Sequence, residues 1–547
     1  MTTTEEQAIS AADRIAADVR HAAVTGDWQR AYETANRAIS RGLRHPVFFM
    51  VRAQRMEQAG QLQFALEDYE RAVQAAPTDP GVHDAAGLCA LKLQKNERAA
   101  EAFDNARKLD PAAPGLHFRY GLALARLGES DGAEAAYRNA LNIDPEFADA
   151  LASLASIKAR QGKAAEARVF AEQALAADPR QATAAVALVQ ADMAERRHAD
   201  AEKRIADLLA AGTLPPEGQA MVSGLLGDAL DGQKRYAEAF AAYERENEQL
   251  RRIHAARFPA NLGAEALRNL IGYFENTPST RWRAPDDGQS PAMPASGHVF
   301  LLGFMRTGTT LLEQVLAANP KIVALEEEGL FSEMGDTYMT SAPALDSLAD
   351  LSGEALKNER RLYWQRVMKL RPDCAGKIVV DKQPLNTLKL PLIAKLFPNA
   401  KILFAIRDPR DVVFSCYRRR FKIDAALYSF LSLEDTARFY ASTMRLAEIF
   451  RDKLALQILD HRYEAMIEDF DGRVRAVCDF IGLEWTDAMR AFDQHEAVVD
   501  IRSPSTLQVR RPLYSEAVAQ WRRYADQLAP IYPIVAPWVE KFGYPKV

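Results

Sequence analysis

The sequence predicts a protein of two parts, an all-α repeat solenoid followed by an α/β domain with a parallel sheet. Three observations carry this. Pro77, Pro111, Pro145 and Pro179 recur every 34 residues. From residue 298 onward, short apolar runs alternate with helical patterns. Between His298 and Pro320, HVFLLGFMRTGTTLLEQVLAANP reads as a buried strand, a turn of glycine, arginine and threonine, and a helix start.

The first part follows from the spacing around those prolines. Five residues before each stands Ala72, Ala106, Ala140 or Ala174, and twelve before stands Ala65, Ala99, Ala133 or Ala167. Eight before stands Tyr69, Phe103, Tyr137 or Ala171. Gly26, Gly60, Gly128 and Gly162 fall on the same grid, where two helices turn. The grid reaches back to Ala31 and Ala38 and, more weakly, forward to Ala201. Small residues let helices approach, the aromatic fills the gap, and the proline stops the second helix. This pattern resembles tetratricopeptide repeats, and Gly232–Leu250 reads as a last, phase-shifted unit. The resemblance implies a concave face that binds a peptide or presents a substrate. Charges such as Arg196 and Arg197 are expected on solvated faces. The expected layout is an array over 1–255, a linker over 256–296 rich in Pro, Ser, Asp and Gly, and a second domain over 297–547.

A chain of 547 residues exceeds one domain. A net charge of −5 gives no global field for nucleic acid or an anionic membrane. Cys89, Cys374, Cys416 and Cys478 lack metal-ligand spacing and read as buried thiols of a reducing compartment. The start MTTTEEQAIS has no signal-peptide pattern, and no apolar run is long enough to span a membrane. A cytoplasmic protein is the expectation.

The chemistry lies in the second part. Strands are expected at His298–Phe304, Lys377–Lys382, Lys401–Asp408 and Leu454–Asp460, with ligands at their C-terminal ends. After the first strand, loop amides, a helix N-terminus and Arg306 make a phosphate cradle. No lysine follows Gly308, so the loop suits a phosphate but not a magnesium-bound triphosphate. After the third strand, Arg407 and Ser415, eight residues on, can face a second anion. The competing reading makes Arg407 and Asp408 an ion pair and Ser415 a plain helix hydroxyl.

GFMRTGTTLL resembles the 5′-phosphosulfate loop of sulfotransferases, and RDPRDVVFS resembles their 3′-phosphate motif, about 100 residues later. With the repeats in front, the chain resembles tetratricopeptide-repeat sulfotransferases related to tyrosylprotein sulfotransferases, with a P-loop-like α/β domain. The resemblance implies 3′-phosphoadenosine 5′-phosphosulfate (PAPS) as donor and no metal. It gives Arg306, Thr307, Gly308, Thr309 and Thr310 to the 5′ end, and Arg407 and Ser415 to the 3′-phosphate. It makes Glu327 of LEEEG the base, with Glu326 and Glu328 close enough for the assignment to slip by one. Lys382 would touch the transferred sulfate, with Arg306 beside it and Pro384 and Asn386 completing the motif. Tyr463 would lie near the nucleotide and Glu464 would be structural, while Ser505, Thr506 and Arg511 match a late nucleotide-binding loop. Gln520 replaces a family lysine, leaving Arg522 or Arg523 as substitutes. His461 and His495 do not adjoin Lys382 and read as surface or core residues, Asp381 is a magnesium candidate, and Arg418–Arg420 reads as a solvated basic face, with a guide for an anionic acceptor as the alternative.

Two other classes stay open. An ATP-using P-loop kinase lacks support from the loop, and a repeat scaffold with an inactive domain has no reason to keep Arg306, Lys382, Arg407 and Ser415. The acceptor is expected to be a peptide or protein hydroxyl, with phenols, glycans, lipids, natural products and amines open, as are a homodimer and a docking partner for the repeats.

Overall fold

The computed structural model describes residues 2–258, 262–282, 293–494 and 517–546. Its contacts divide the chain into Met1–Thr213 and Leu214–Val547.

The first unit is a series of antiparallel helix pairs, such as Pro80–Lys92 with Asn96–Leu109 and Pro114–Leu127 with Ser130–Ile143. Each grid proline stands two residues past a helix that ends at Ala75, Leu109, Ile143 or Ala177. The turn within each pair needs one residue in the left-handed region. Gly26, Gly60, Gly128 and Gly162 supply it, with φ of 83°, 75°, 84° and 75°. Gln94 and Arg196 hold the same grid position with φ of 58° and 60°. For a residue with a Cβ that conformation costs roughly 1–2 kcal/mol, so packing on both sides imposes it. Tyr69, Phe103 and Tyr137 are buried between helices as expected. The approach is close: a Cβ on Gly121 would lie 2.7 Å from the Tyr137 ring.

The second unit opens with another repeat-like pair, Pro216–Gly232 and Tyr236–His254. Where the sequence suggests a linker, the structure has the helix Leu262–Asn276. Leu267, Leu270 and Phe274 of that helix are buried in the same core as Phe300 and Phe304. The turn-forming residues that follow Asn276 in the sequence hide the helical pattern before them.

Among the described residues the sheet has five parallel strands: β1 (Gly297–Gly303), β2 (Ile322–Glu326), β3 (Ile378–Lys382), β4 (Lys401–Ile406) and β5 (Gln457–Arg462). Their order is β2-β3-β1-β4-β5. Phe300, Leu302 and Phe304 pack into one core, and Val299 and Leu301 into another, as alternate side chains of a strand covered on both faces must. β2 is a strand beyond those expected. The register sets Glu326 opposite Lys382, and Lys382 opposite Leu301. The C-terminal ends of four strands therefore meet along one edge. Among the described residues, no helix is long and apolar enough to cross a membrane.

Candidate functional site

The first loop joins β1 to the helix Thr309–Ala317. Its root is pinned by Thr387, which accepts from the Gly303 amide at 3.0 Å and donates to the Gly303 carbonyl at 2.6 Å. Thr307 donates to the Phe304 carbonyl at 2.7 Å. Arg306 takes a left-handed backbone, φ 67°. Gly308 caps the helix with φ 92°, and the Tyr463 ring occupies the space that a Cβ would need. Thr309 and Thr310 are buried in the first helical turn, where backbone N–H groups have no helical acceptor.

The second motif comes directly onto this loop. Arg407, at the end of β4, donates from Nη1 to the Arg306 carbonyl at 3.1 Å and from Nη2 to the Ala517 carbonyl. Its guanidinium lies 5.0 Å from the Tyr463 ring centre. Its Nε is buried and, among the described residues, has no hydrogen-bond partner. Arg306 Nε donates to Ser415 Oγ at 3.1 Å. The two expected phosphate sites are thus adjoining, with Tyr463 between them. Burial first, then Arg419 and Arg407, pull the Arg306 guanidinium down to about 9. A concentration of positive charge this dense favours an anion.

Asp408 does not pair with Arg407. It caps the Pro409–Tyr417 helix through the Arg410 amide and binds the Arg410 guanidinium at 2.7 and 2.9 Å. Glu464 is structural, as expected: it accepts from the Asp408 amide at 3.0 Å and from Tyr544 at 2.7 Å.

The expectation of a solvated face at Arg418–Arg420 is overturned. Arg418 is buried 3.8 Å from Asp231, and Arg420 lies 2.9 Å from Asp228 and 3.6 Å from Glu246. These acids sit on the helices Pro216–Gly232 and Tyr236–His254, far off in sequence, and draw the arginines inward. Arg419 lies just past the end of the Ser415 helix, which stops at Tyr417. Among the described residues it has no acidic partner within 4.0 Å, and its Nε is buried without a hydrogen bond.

A second cluster occupies the ends of β2 and β3. Lys382 is fully buried, with Nζ 2.8 Å from Glu327, 3.3 Å from Glu313 and 3.9 Å from Glu326. Burial pushes its ammonium down, but Glu313, Glu327 and Glu326 outweigh this and hold it above the ordinary lysine value. Glu327 breaks from the strand with φ 50°, while its amide still donates to the Lys382 carbonyl at 2.9 Å. Its side chain is 36% exposed, and Glu328 is exposed without an ion pair among the described residues. Glu313 is sealed, and burial pushes its carboxyl up to about 8 against the pull of Lys382. Sequence reasoning missed it as a site residue; an acid inside the apolar run LLEQVL, four residues after Thr309, was the available signal.

The remaining candidates resolve as follows. Asp381 faces away from Lys382 on β3 and accepts from Tyr363 at 2.8 Å. His461 lies on the edge strand β5, where burial and then Arg473 bring it down to about 4. Gln520 accepts from Arg418 at 2.5 Å, whereas Arg522 and Arg523 lie over Trp521 and Tyr236. Ser505, Thr506, Arg511 and His495 lie outside the described residues.

A parallel sheet thus gathers at its strand ends a glycine loop, Arg306, Arg407 and a lysine–glutamate pair. Residues 298–487 match the sulfotransferase family, and residues 85–146 and 186–249 match tetratricopeptide-repeat models. The chain is a tetratricopeptide-repeat protein with a sulfotransferase-family domain. It is 25% identical over 372 residues to an uncharacterized protein of Aquifex aeolicus (strain VF5), covering 65% of this chain and 46% of that one, so it spans about half of that relative. Protein-tyrosine sulfotransferase A of Caenorhabditis elegans is 25% identical over 275 residues, 47% of this chain and 69% of its own length. Protein-tyrosine sulfotransferase 1 of Danio rerio is 23% identical over 260 residues, 45% of this chain and 72% of its own.

Proposed function

We propose that the protein is a sulfotransferase that uses PAPS and a hydroxyl acceptor, with Glu327 as the base and the repeats as a binding module. The observation that carries this reading is the Arg306–Ser415 bond, which joins the first loop to the helix after β4, together with the Lys382–Glu327 pair. The residues fit a nucleotide phosphorylated at both ends. Arg407 keeps a buried, unpartnered Nε among the described residues, Ser415 offers a hydroxyl, and the glycine loop and helix start offer amides. PAPS supplies the activated sulfuryl group.

The protein's task is alignment and stabilisation of charge spreading over the transferred oxygens. In this reading Thr307, Gly308, Thr309 and Thr310 hold the 5′-phosphate, and Arg407 and Ser415 the 3′-phosphate. Arg306 and Lys382 stand over the sulfate oxygens. Glu327 takes the acceptor proton. It is chosen over Glu313 because it is reachable from solvent, and over Glu326 because it is nearer the lysine. A free glutamate has a pKa of about 4.3 and a phenol about 10, so proton transfer must be late, as the O–S bond forms. The relatives named protein-tyrosine sulfotransferases favour a peptide hydroxyl, and the repeats would hold its chain. Four buried free thiols support a reducing, cytoplasmic setting.

Calorimetry without added metal tests the reading. Adenosine 3′,5′-bisphosphate should bind at micromolar concentration and ADP far more weakly. Loss of a charge-assisted contact of about 1.5–3 kcal/mol makes Arg407→Ala weaken the bisphosphate by roughly 10- to 100-fold. Equal or tighter ADP binding, or binding of neither, overturns the donor assignment.

A further inference from the structure

The helices Pro216–Gly232 and Tyr236–His254 read in sequence as the end of the repeat array, yet their polar residues are turned onto the anion site of their own unit. Three consecutive arginines, Arg418 to Arg420, follow the helix that carries Ser415. Adjacent like charges in a covered place repel unless something offsets them. Asp228 takes Arg420 at 2.9 Å, and Glu246 approaches it at 3.6 Å from the neighbouring helix. Asp231 lies 3.8 Å from Arg418 and accepts from Tyr524. Tyr243 donates to Asp228 at 3.0 Å. Asn247 donates to the Tyr417 carbonyl at 2.9 Å, closing the last turn of the Ser415 helix. Arg420 is clamped tightly here: a Cβ on Gly224 would collide with both Glu246 and the Arg420 guanidinium. With Arg418 and Arg420 held by these acids, Arg419 between them has no acidic partner within 4.0 Å among the described residues, and it weighs more than Arg418 on Arg306. Burial pushes the Asp228 carboxyl up, but Arg420, Arg419 and Arg418 outweigh it and keep it below the ordinary range.

We infer that Asp228 and Glu246 are positioning residues for the second anion position. By holding Arg420, and with it the end of the Ser415 helix, they fix where Ser415 and Arg419 point. The repeat-like pair is then a working part of the transferase domain, besides any role in binding an acceptor. This inference rests on the nucleotide reading above.

The test compares adenosine 3′,5′-bisphosphate with AMP, which lacks the 3′-phosphate, on the full-length protein. Asp228→Asn should weaken the bisphosphate at least tenfold and change AMP less than twofold. Glu246→Gln, a milder isosteric change, should weaken the bisphosphate three- to tenfold with the same selectivity, and it serves if Asp228→Asn does not fold. Equal weakening of both nucleotides by the folded variants shows a merely structural role and overturns the inference, as does no change in either. If the wild-type protein binds neither nucleotide, the donor reading falls and the inference falls with it. Wild-type binding with unaffected variants defeats the positioning role alone.

Discussion

Glu313→Gln should make the protein more stable at neutral pH, and the gain should follow one titration. Glu313 is 1% exposed and meets Lys382 at 3.3 Å, with Glu326 and Glu327 on the lysine's other sides. Burial disfavours its charged form, and the pull of Lys382, shared with Glu326 and Glu327, does not offset that, so Glu313 keeps its proton to about pH 8 instead of 4.5. Below pH 4.5 the folded and unfolded chains both hold that proton, and the raised carboxyl costs nothing. Between pH 4.5 and about 8 only the folded chain holds it. Folding then takes up a proton, and stability falls as pH rises, by about 1.4 kcal/mol per unit. From pH 5 to pH 7 the loss is on the order of 3 kcal/mol. Glutamine keeps the shape and cannot ionise, so the variant escapes this loss. Urea unfolding at each pH measures it. Intrinsic fluorescence suits the purpose, since five of the six tryptophans (Trp282, Trp364, Trp485, Trp521 and Trp538) lie in the second unit. Titrating groups away from this cluster affect both proteins alike, so the difference between the two curves reports Glu313 together with its contacts to Lys382, Glu326 and Glu327. Parallel curves, with a constant difference from pH 5 to pH 7, would refute the reasoning.

Three further outcomes are expected. Glu327→Gln should lower the turnover of a tyrosine peptide, read by mass spectrometry, by roughly 100- to 10,000-fold while leaving bisphosphate binding within about threefold. Gly308→Ala should abolish nucleotide binding in calorimetry, because its Cβ meets the Tyr463 ring at a left-handed φ of 92°; the backbone strain alone costs about 1–2 kcal/mol. Tyr137→Ala should destabilise the first unit by about 3–5 kcal/mol in thermal unfolding followed by circular dichroism, without altering nucleotide affinity.

The repeat grid was legible because close packing restricts residue type at every 34th position, and such restriction prints itself on the chain. The first loop was legible for a related reason: backbone that must approach a ligand is written in glycine and hydroxyl residues at a strand end. Contacts between distant segments leave no such print. Arg420 and Asp228 are 192 residues apart, and nothing local distinguishes an arginine run paired with distant acids from a solvated one. Glu313 reads as an isolated acid until β3 brings Lys382 beneath it. The strand β2 escaped because KIVALE is short and runs straight into further glutamates, which hide where the apolar run stops.

The left-handed turn residues carry one more consequence. They stand at 26, 60, 94, 128, 162 and 196, and then at Lys234, which is four residues late. The extra length lies in the helix Pro216–Gly232, which has 17 residues where the first helices of the pairs at Pro80, Ala148 and Ala182 have 13. Four residues are close to one helical turn of 3.6, so the inserted segment leaves Tyr243 and its neighbours facing the same way. Insertions and deletions in such helices are therefore quantised. A change of three or four residues alters reach by about 5–6 Å and preserves the buried stripe, whereas one or two residues swing it by roughly 100–200°. Length variation in this chain should come in whole turns, and each such step moves a helix end without rewriting the faces that hold the site.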